Sequence, residues 1–222
     1  MDGARPVNPG SSPRTRVRRY PELAVKDPEA LYRILDAGLM AHVAVTDETG
    51  QPYAVPVAYA RHDDTVLFHG STASRLFRLC AAGSPVCFTV TLLDGLVLAR
   101  SAFESSMNYR SVMVLGHCGV LHGAAKQAAL EQISEHLMPG RWKEVRQPSA
   151  QELRATAVLE LPLAECSAKV SEGGPDDNES DLGLPVWAGH VPLTESWSEP
   201  VPADGLPAEF STVPDYIRSW RR

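Results

Sequence analysis

The arrangement of the chain is clearest in residues 40–75, which read MAHVAVTDETGQPYAVPVAYARHDDTVLFHGSTASR. From Met40 the pattern has period two, with Ala41, Val43 and Val45 on one face, as in strands with one buried face. Turn sequences at residues 47–50 and 62–64 divide the stretch in the way that hairpin connections do. We therefore predict three consecutive strands joined by hairpins, with the third over residues 65–69. A short loop and a helix are then predicted over residues 70–82.

Outside this stretch, the chain alternates between further short strands and helices. Asp27, Pro28 and Glu29 form a helix start, with a capping side chain, a proline at the first helical position and an early acid, and Gly38 ends that helix. Another short helix follows the capping box that begins at Ser149. The remaining predicted elements are a helix over residues 124–137, strands over residues 86–92, 96–103, 110–121, 158–163 and 167–170, and a turn at residues 94–95.

The connections determine the predicted fold class. Hairpins make neighbouring strands antiparallel, and a closed or partly closed sheet hides its edge strands. The pattern therefore predicts a mainly β fold of the α+β type, a β-barrel of six to seven mostly antiparallel strands with flanking helices. A Rossmann fold is disfavoured, because no GxGxxG motif follows the first strand and parallel strands need helical crossovers.

Composition excludes several classes of partner. The chain has 222 residues, with 21 Lys and Arg against 27 Asp and Glu, a formal net charge of −6. This charge argues against binding to nucleic acid or to anionic membranes. No apolar run reaches the length of about 18 residues that a membrane span needs, and the first residues lack a signal-peptide pattern, so we expect a cytoplasmic protein. The four cysteines form no CxxC pair and are interpreted as buried thiols.

The charge is unevenly distributed along the chain. Residues 1–20 contain five arginines and one acid and have no hydrophobic period, so we expect a flexible basic arm, or one ordered only against a neighbour. Residues 21–170 are expected to form the barrel domain. Residues 171–222 contain 7 of the 18 prolines and are expected to pack on the barrel as a tail, held there by Trp187.

The segment from His69 to Arg75 is the first candidate binding site. It combines Gly70 with the hydroxyl groups of Ser71 and Ser74, the Arg75 guanidinium and the free N–H groups of a helix start, which together favour an anion such as phosphate. The alternative is a solvent-facing helix cap with Arg75 on the surface. This segment alone leaves both interpretations open.

Two further segments carry polar groups near strands. Residues 105–112 supply hydrogen-bond donors beside an aromatic ring, which suits a heteroaromatic ligand with a phosphate; the alternative is a polar loop. Residues 51–59 contain two prolines, so this strand is an edge strand or is bulged, and backbone groups near Pro56 are free to pair with a flat ligand. The histidines lack metal-ligand spacing, so no metal site is predicted. The sequence also contains no recognisable motif for a catalytic nucleophile.

Taken together, these motifs resemble the pyridoxamine 5′-phosphate oxidase-like flavin-binding family, in particular its branch related to nitroimidazole-resistance proteins. The resemblance runs over residues 31–192. It is carried by YAVPV at residues 53–57, FHGS at 68–71, SR at 74–75, MNYRSV at 107–112, PGRW at 139–142, SAK at 167–169 and PVWAG at 185–189.

The resemblance implies a split β-barrel that forms a homodimer and binds FMN in two equivalent clefts between the subunits. For the phosphate it implies Ser71, Ser74 and Arg75, next to Gly70. His69 is the candidate for a catalytic role. The residues implied around the isoalloxazine ring and ribityl chain are Pro56, Val57, Tyr59, Asn108, Tyr109, Arg110, Ser111 and Val112, with Lys169 and Trp187 as lesser candidates.

The C-terminal sequence YIRSWRR, residues 216–222, departs from the arginine-rich substrate motif expected of a true pyridoxamine phosphate oxidase. We therefore expect an FMN-dependent oxidoreductase of another small-molecule substrate, of nitroreductase or flavin-reductase type, with NAD(P)H or another reductant supplying the electrons. Two alternatives remain open. One is a flavin-binding or sensor module without turnover, and the other is the same fold with a deazaflavin or haem as its ligand.

Overall fold

The computed structural model of the protein describes residues 6–220. Ten strands and five α-helices are present in this part of the chain. The strands are β1 (Ala24–Val25), β2 (Met40–Thr46), β3 (Pro52–His62), β4 (Thr65–Ser71), β5 (Pro85–Leu98), β6 (Ser106–His117), β7 (Gly119–Val120), β8 (Thr156–Pro162), β9 (Cys166–Ser171) and β10 (Gly189–Pro192). The helices are α1 (Pro28–Ala37), α2 (Arg75–Ala81), α3 (Gly123–Leu137), α4 (Ala150–Ala155) and α5 (Asp215–Arg218).

Local capping signals fix two of the helix starts as predicted. The Asp27 carboxylate accepts hydrogen bonds from the backbone N–H groups of Glu29 and Ala30, each at 3.2 Å, and begins α1. At α4 the Ser149 hydroxyl accepts from the Glu152 N–H at 3.2 Å, and the Glu152 carboxylate accepts from the Ser149 N–H at 2.7 Å. These caps satisfy backbone donors that have no partner inside the helix.

The strands form one antiparallel sheet in the order β1-β9-β6-β5-β2-β3-β4-β8-β7, with β10 paired to β5. The sheet curls around the main core without closing, since β1 and β7 are its two ends. The fully buried rings of Tyr59, Phe68 and Phe88 lie inside it. The predicted mainly β split barrel is therefore confirmed. A second, smaller core forms where α3 covers the outside of β3, β4 and β8.

The predicted turn at residues 94–95 and the separate strand over residues 96–103 are wrong. Strand β5 runs through these residues, and its pairing with β6 shifts register between Leu93 and Gly95, which is the signature of a β-bulge. A Cβ on Gly95 would lie 2.6 Å from the Val191 carbonyl oxygen of β10, so a glycine is needed for this close approach. Strand β6 begins at Ser106, so the polar-loop alternative for residues 105–112 is also wrong.

Residues 6–20 contact the barrel, which corrects the expectation of a flexible arm for this part; residues 1–5 lie outside the described residues. The Gly10 N–H donates to the Cys166 carbonyl at 2.8 Å, and the Ser12 hydroxyl donates to the Glu165 carboxylate at 2.8 Å. The side chain of Val7 is buried in the main core. All four arginines of residues 6–20 remain exposed.

The tail is held on the barrel by backbone pairing and by an ion pair. Strand β10 pairs with the end of β5, and the Arg100 guanidinium donates to the Asp177 carboxylate at 2.6 Å. The expected docking through Trp187 is wrong, because this side chain is 67% exposed and its indole lies against the backbone of Gly189. Within residues 6–220 no helix is long and apolar enough to cross a membrane.

Candidate functional site

The outer face of the sheet, turned away from the main core, carries mostly short side chains on β2, β3, β5 and β6. Directly paired residues of antiparallel strands point to the same side. The pairing of these strands brings together a block of nine exposed or half-buried residues on this face. We call this surface the platform; its residues are Met40, His42, Ala44, Pro56, Ala58, Thr89, Thr91, Ser111 and Met113. The platform offers a planar ring or a second protein surface a place to lie, and the tail reaches it at Met40 and Thr91, which line a cavity together with Trp197 and Trp220.

His69 lies where the outer face passes from the platform toward the part that α3 covers. It is half-buried, and it pairs in register with Val158 of the smaller core. Its ring nitrogen Nδ1 is buried without a hydrogen-bond partner among the described residues. Burial lowers the pKa of His69, so the neutral imidazole is favoured. A neutral imidazole with an unsatisfied nitrogen is suited to bind a metal centre or a polar group of a ligand.

Three of the predicted cofactor contacts point into the barrel instead. Tyr59 and Val112 are completely buried in the main core and Val57 is 7% exposed. The Tyr59 hydroxyl donates to the Leu35 carbonyl at 2.5 Å and so is already used within the core. These side chains are not available to a ligand on the platform, and their neighbours Pro56, on β3, and Ser111, on β6, are the ones that face it.

The predicted phosphate residues meet at the end of the barrel, where α2 begins. The guanidinium carbon of Arg75 lies 4.5 Å from the centre of the Tyr53 ring, which holds the side chain over β3. No carboxylate among the described residues forms an ion pair with Arg75, and the Ser74 hydroxyl makes no capping hydrogen bond. A cavity of about 230 Å³ opens beside Ser74 and Arg75. The arrangement leaves a positive charge and a hydroxyl free to hold an anion.

Gly70 and Ser71 complete this region in different ways. A Cβ on Gly70 would lie 2.2 Å from the Phe77 ring, so this glycine is needed for α2 to pack against β4. The Ser71 hydroxyl accepts a hydrogen bond from the Ala73 N–H at 3.2 Å and shapes the turn into the helix. Gly70 therefore has a packing role, while Ser71 is exposed and keeps its hydroxyl proton available.

Arg110, which the resemblance places near the isoalloxazine ring and ribityl chain, carries a charge that is already paired within the chain. Its guanidinium donates to both carboxylate oxygens of Asp94, at 2.8 and 2.6 Å, and Asp94 raises the pKa of Arg110. This bidentate pair cancels the charge that a phosphate would need. Arg110 lines a cavity of about 700 Å³, distinct from the one beside Arg75, between the sheet, the ends of α1 and α3, and the tail residues Trp197 and Trp220.

The other predicted residues lie at three further places. Asn108 is buried, and its side-chain amide donates to the Gly173 carbonyl at 2.9 Å, so it ties β6 to the start of the tail. Tyr109 is half-buried on the outer face. Lys169 pairs in register with Ser111 and continues the outer face onto β9. Trp187 remains on the exposed tail. No group of three or more potential metal-ligating side chains is found in residues 6–220.

Comparison with known proteins assigns the family. The family model described as pyridoxamine 5′-phosphate oxidase matches residues 27–170. The chain belongs to the pyridoxamine 5′-phosphate oxidase family. Among curated proteins no significant match to this family member is found.

Solved structures include two similar proteins that span nearly the whole chain. The flavocytochrome Anf3 from Azotobacter vinelandii is 40% identical, covers 93% of this chain and 96% of its own, and superposes with a TM-score of 0.87. A FAD and heme binding protein from Mycobacterium smegmatis is 38% identical, covers 88% of this chain and 96% of its own, and has a TM-score of 0.84. A candidate 5-nitroimidazole antibiotic resistance protein from Bacteroides thetaiotaomicron shares the fold, with 24% identity over 66% of this chain and 86% of its own and a TM-score of 0.56.

Sequence reasoning missed two features of this family member. The first is the role of Tyr53, which the sequence shows only as part of the YAVPV motif. Its ring holds the Arg75 guanidinium, and this contact between β3 and α2 cannot be read from sequence spacing. The cavity beside Trp197 and Trp220 depends on the return of the tail. The unusual density of tryptophan in a proline-rich tail was the available signal for it.

Proposed function

We propose that this protein is a flavin-binding redox protein that binds haem as a second cofactor, with FAD as its flavin. Two relatives that are about two-fifths identical over most of the chain are named as a flavocytochrome and as a FAD and heme binding protein. The observation that carries the proposal for this chain is the half-buried imidazole of His69, whose Nδ1 has no partner among the described residues. Burial also favours the neutral form of this imidazole, which keeps a nitrogen lone pair for a ligand.

The residues fit both groups chemically. The neutral imidazole of His69 is the form that binds haem iron. Arg75, with the hydroxyl groups of Ser71 and Ser74, supplies a free cation and two hydroxyl donors for a flavin phosphate. A bound flavin supplies hydride and single-electron transfer, while the protein binds the cofactor, orients it and excludes water from it.

A second copy of the chain is proposed to cover the platform. Met40 is 55% exposed on this face, and a surface of mixed apolar and small polar side chains is favourable to bury between subunits. In such a homodimer each cofactor lies between two chains. The electrons are proposed to come from NAD(P)H or another reductant. The substrate is proposed to be other than pyridoxamine phosphate, since residues 216–222, YIRSWRR, differ from the arginine-rich substrate motif of true pyridoxamine phosphate oxidases.

The first test is the cofactor content of the purified protein. Flavin released by denaturation is separated into FAD and FMN, and haem is measured as its pyridine complex. Both FAD and haem are expected, and His69→Ala is expected to lose haem while retaining flavin. His122→Ala, at an exposed position before α3, is the matched control. A protein that binds FMN without haem would refute the two-cofactor proposal and favour the simpler FMN-dependent oxidoreductase.

A second test addresses the flavin phosphate. The double variant Ser71→Ala with Arg75→Ala is expected to weaken FMN and FAD binding by about 1.5–3 kcal/mol or more, the size of a charge-assisted hydrogen bond. Arg110→Ala is expected to leave that affinity nearly unchanged, because its charge is already paired with Asp94. Equal losses from both changes would contradict the assignment. Turnover of NAD(P)H with quinones or nitro compounds then separates an enzyme from a binding module.

A further inference from the structure

A cationic cluster lies at the edge of the outer face, on the side opposite to Arg75. The Arg19 guanidinium lies 4.8 Å from the centre of the Tyr20 ring, and the Lys169 ammonium lies 5.9 Å from the same centre. Lys169 also donates to the Arg19 carbonyl at 3.3 Å, and Arg19 donates to the Tyr20 hydroxyl at 3.3 Å. Tyr20 therefore gathers two positive charges, one from the N-terminal segment and one from β9.

These charges lack the counter-charges that a structural ion network would have. No carboxylate within residues 6–220 forms an ion pair with Arg19 or Lys169. Neighbouring like charges repel unless an anion lies between them. Other cations of the chain, including Arg61, Arg100 and Arg110, are each paired with an aspartate. The cluster is therefore a positive site in a chain whose formal net charge is −6.

The backbone at the cluster is also held in an unfavourable conformation. Tyr20 has φ 53° and ψ 62°, the left-handed region that bulky side chains rarely adopt. Outliers of this kind persist where the surrounding structure holds them, and they occur preferentially at binding sites. In this conformation the Lys169 ammonium contacts both the Arg19 carbonyl and the Tyr20 ring.

The cluster continues directly into the platform. Lys169 is paired with Ser111, and Ser111 is paired with Thr91, so the three side chains form a row across β9, β6 and β5. Adjacent strands are separated by about 4.8 Å, which places Lys169 about 10 Å from Thr91 across the sheet. A ligand whose ring lies on the platform thus has the cluster within reach of an anionic group attached to that ring.

We propose that Arg19 and Lys169, gathered by Tyr20, bind the diphosphate group of a dinucleotide whose ring system lies on the platform. This inference rests on the proposed function and extends it, because it separates dinucleotides from mononucleotides. The same diphosphate chemistry occurs in FAD and in a reduced nicotinamide dinucleotide. Guanidinium and ammonium groups favour such an anion through charge-assisted hydrogen bonds.

The test compares matched ligands on the full chain freed of cofactor. Affinities are measured by calorimetry for FAD against FMN, and for NADPH against reduced nicotinamide mononucleotide. The variants are Arg19→Ala and Lys169→Ala, with Lys169→Arg to retain the charge and Lys143→Ala as an exposed lysine removed elsewhere. Thermal unfolding confirms that each variant is folded.

We expect Arg19→Ala and Lys169→Ala each to weaken one dinucleotide about tenfold or more, with the mononucleotide unchanged and Lys169→Arg close to the parent. The arm that responds identifies the source of the diphosphate. Unchanged affinity in both arms overturns the inference, and so does an equal loss for mononucleotide and dinucleotide. If the parent chain binds no flavin, the proposed function fails, and ADP alone then tests the cluster: binding that Lys169→Ala weakens supports it, and no binding overturns it.

Discussion

The hydroxyl group of Tyr59 tests whether this residue serves the core or a cofactor. The family resemblance predicts that it lines the flavin, whereas its ring is completely buried, lies 5.2 Å from the Phe88 ring, and its hydroxyl donates to the Leu35 carbonyl. Tyr59→Phe removes only the hydroxyl and leaves the Leu35 carbonyl without this donor in a buried place. The expected loss in the free energy of unfolding is about 1–3 kcal/mol, the range for a buried polar group that loses its partner.

The assay is urea unfolding of the cofactor-free protein, because a bound ligand would add its own stabilisation. The midpoint is expected to fall with an unchanged slope, and the affinities for flavin and haem are expected to stay the same. Tyr109→Phe, on the half-buried outer face, is the control and is expected to change stability by less than about 0.5 kcal/mol. The reasoning is refuted if Tyr59→Phe leaves stability unchanged and weakens a cofactor.

Three further changes test the packing, the histidine and the tail. Gly70→Ala is expected to lower stability by about 1–3 kcal/mol because its Cβ would overlap the Phe77 ring, which thermal unfolding measures. Burial lowers the pKa of His69, so the unfolded chain binds more protons; the stability of the parent should fall more steeply than that of His69→Gln as pH drops below about 6.5, in urea titrations of cofactor-free protein. Asp177→Ala leaves Arg100 unpaired, and limited proteolysis should then cut the tail faster while the barrel stays intact.

Elements with local signals were predictable from the sequence. The capping side chain of Asp27 and the capping box at Ser149 act within three residues, so the helix starts are correct. The Asp94-Gly95 pair has the composition of a hairpin turn, and that prediction fails for a non-local reason. Strand β10 arrives from the distant tail and pairs with β5, and Gly95 serves its close approach.

The residue types of the candidate site were predictable, but which of these residues face the core and which face outward was not. Residues 52–60 are apolar at most positions, so the pattern does not say that Tyr59 and Val57 point inward while Pro56 points outward. The pairing of Arg110 with Asp94 depends on the register shift of the bulge, which no sequence spacing encodes. Counting arginines therefore indicates the presence of positive charge, whereas only the fold shows which charges are free.

Arg75 and Lys169, both proposed to bind phosphate groups, lie far apart on one chain. Arg75 stacks on Tyr53 of β3, and Lys169 is on β9, four strand spacings away, or about 19 Å along the sheet. The two phosphates of FAD share one bridging oxygen, so a single chain does not bring both residues to them. If FAD uses both residues, the two must come from different chains of the proposed homodimer.

Mixed dimers test this arrangement directly. Chains carrying Arg75→Ala and chains carrying Lys169→Ala are co-expressed with different tags, and only the mixed dimer is purified through both. If each cleft takes Arg75 from one chain and Lys169 from the other, the mixed dimer has one cleft that lacks both residues and one that is intact. One FAD per dimer is then expected at concentrations where either variant alone binds little. If each cleft uses Arg75 and Lys169 of the same chain, both clefts are damaged and no binding returns. That result would contradict a cleft shared between two chains. Whether Arg19 and Lys169 bind a diphosphate is tested separately, by comparing dinucleotides with mononucleotides.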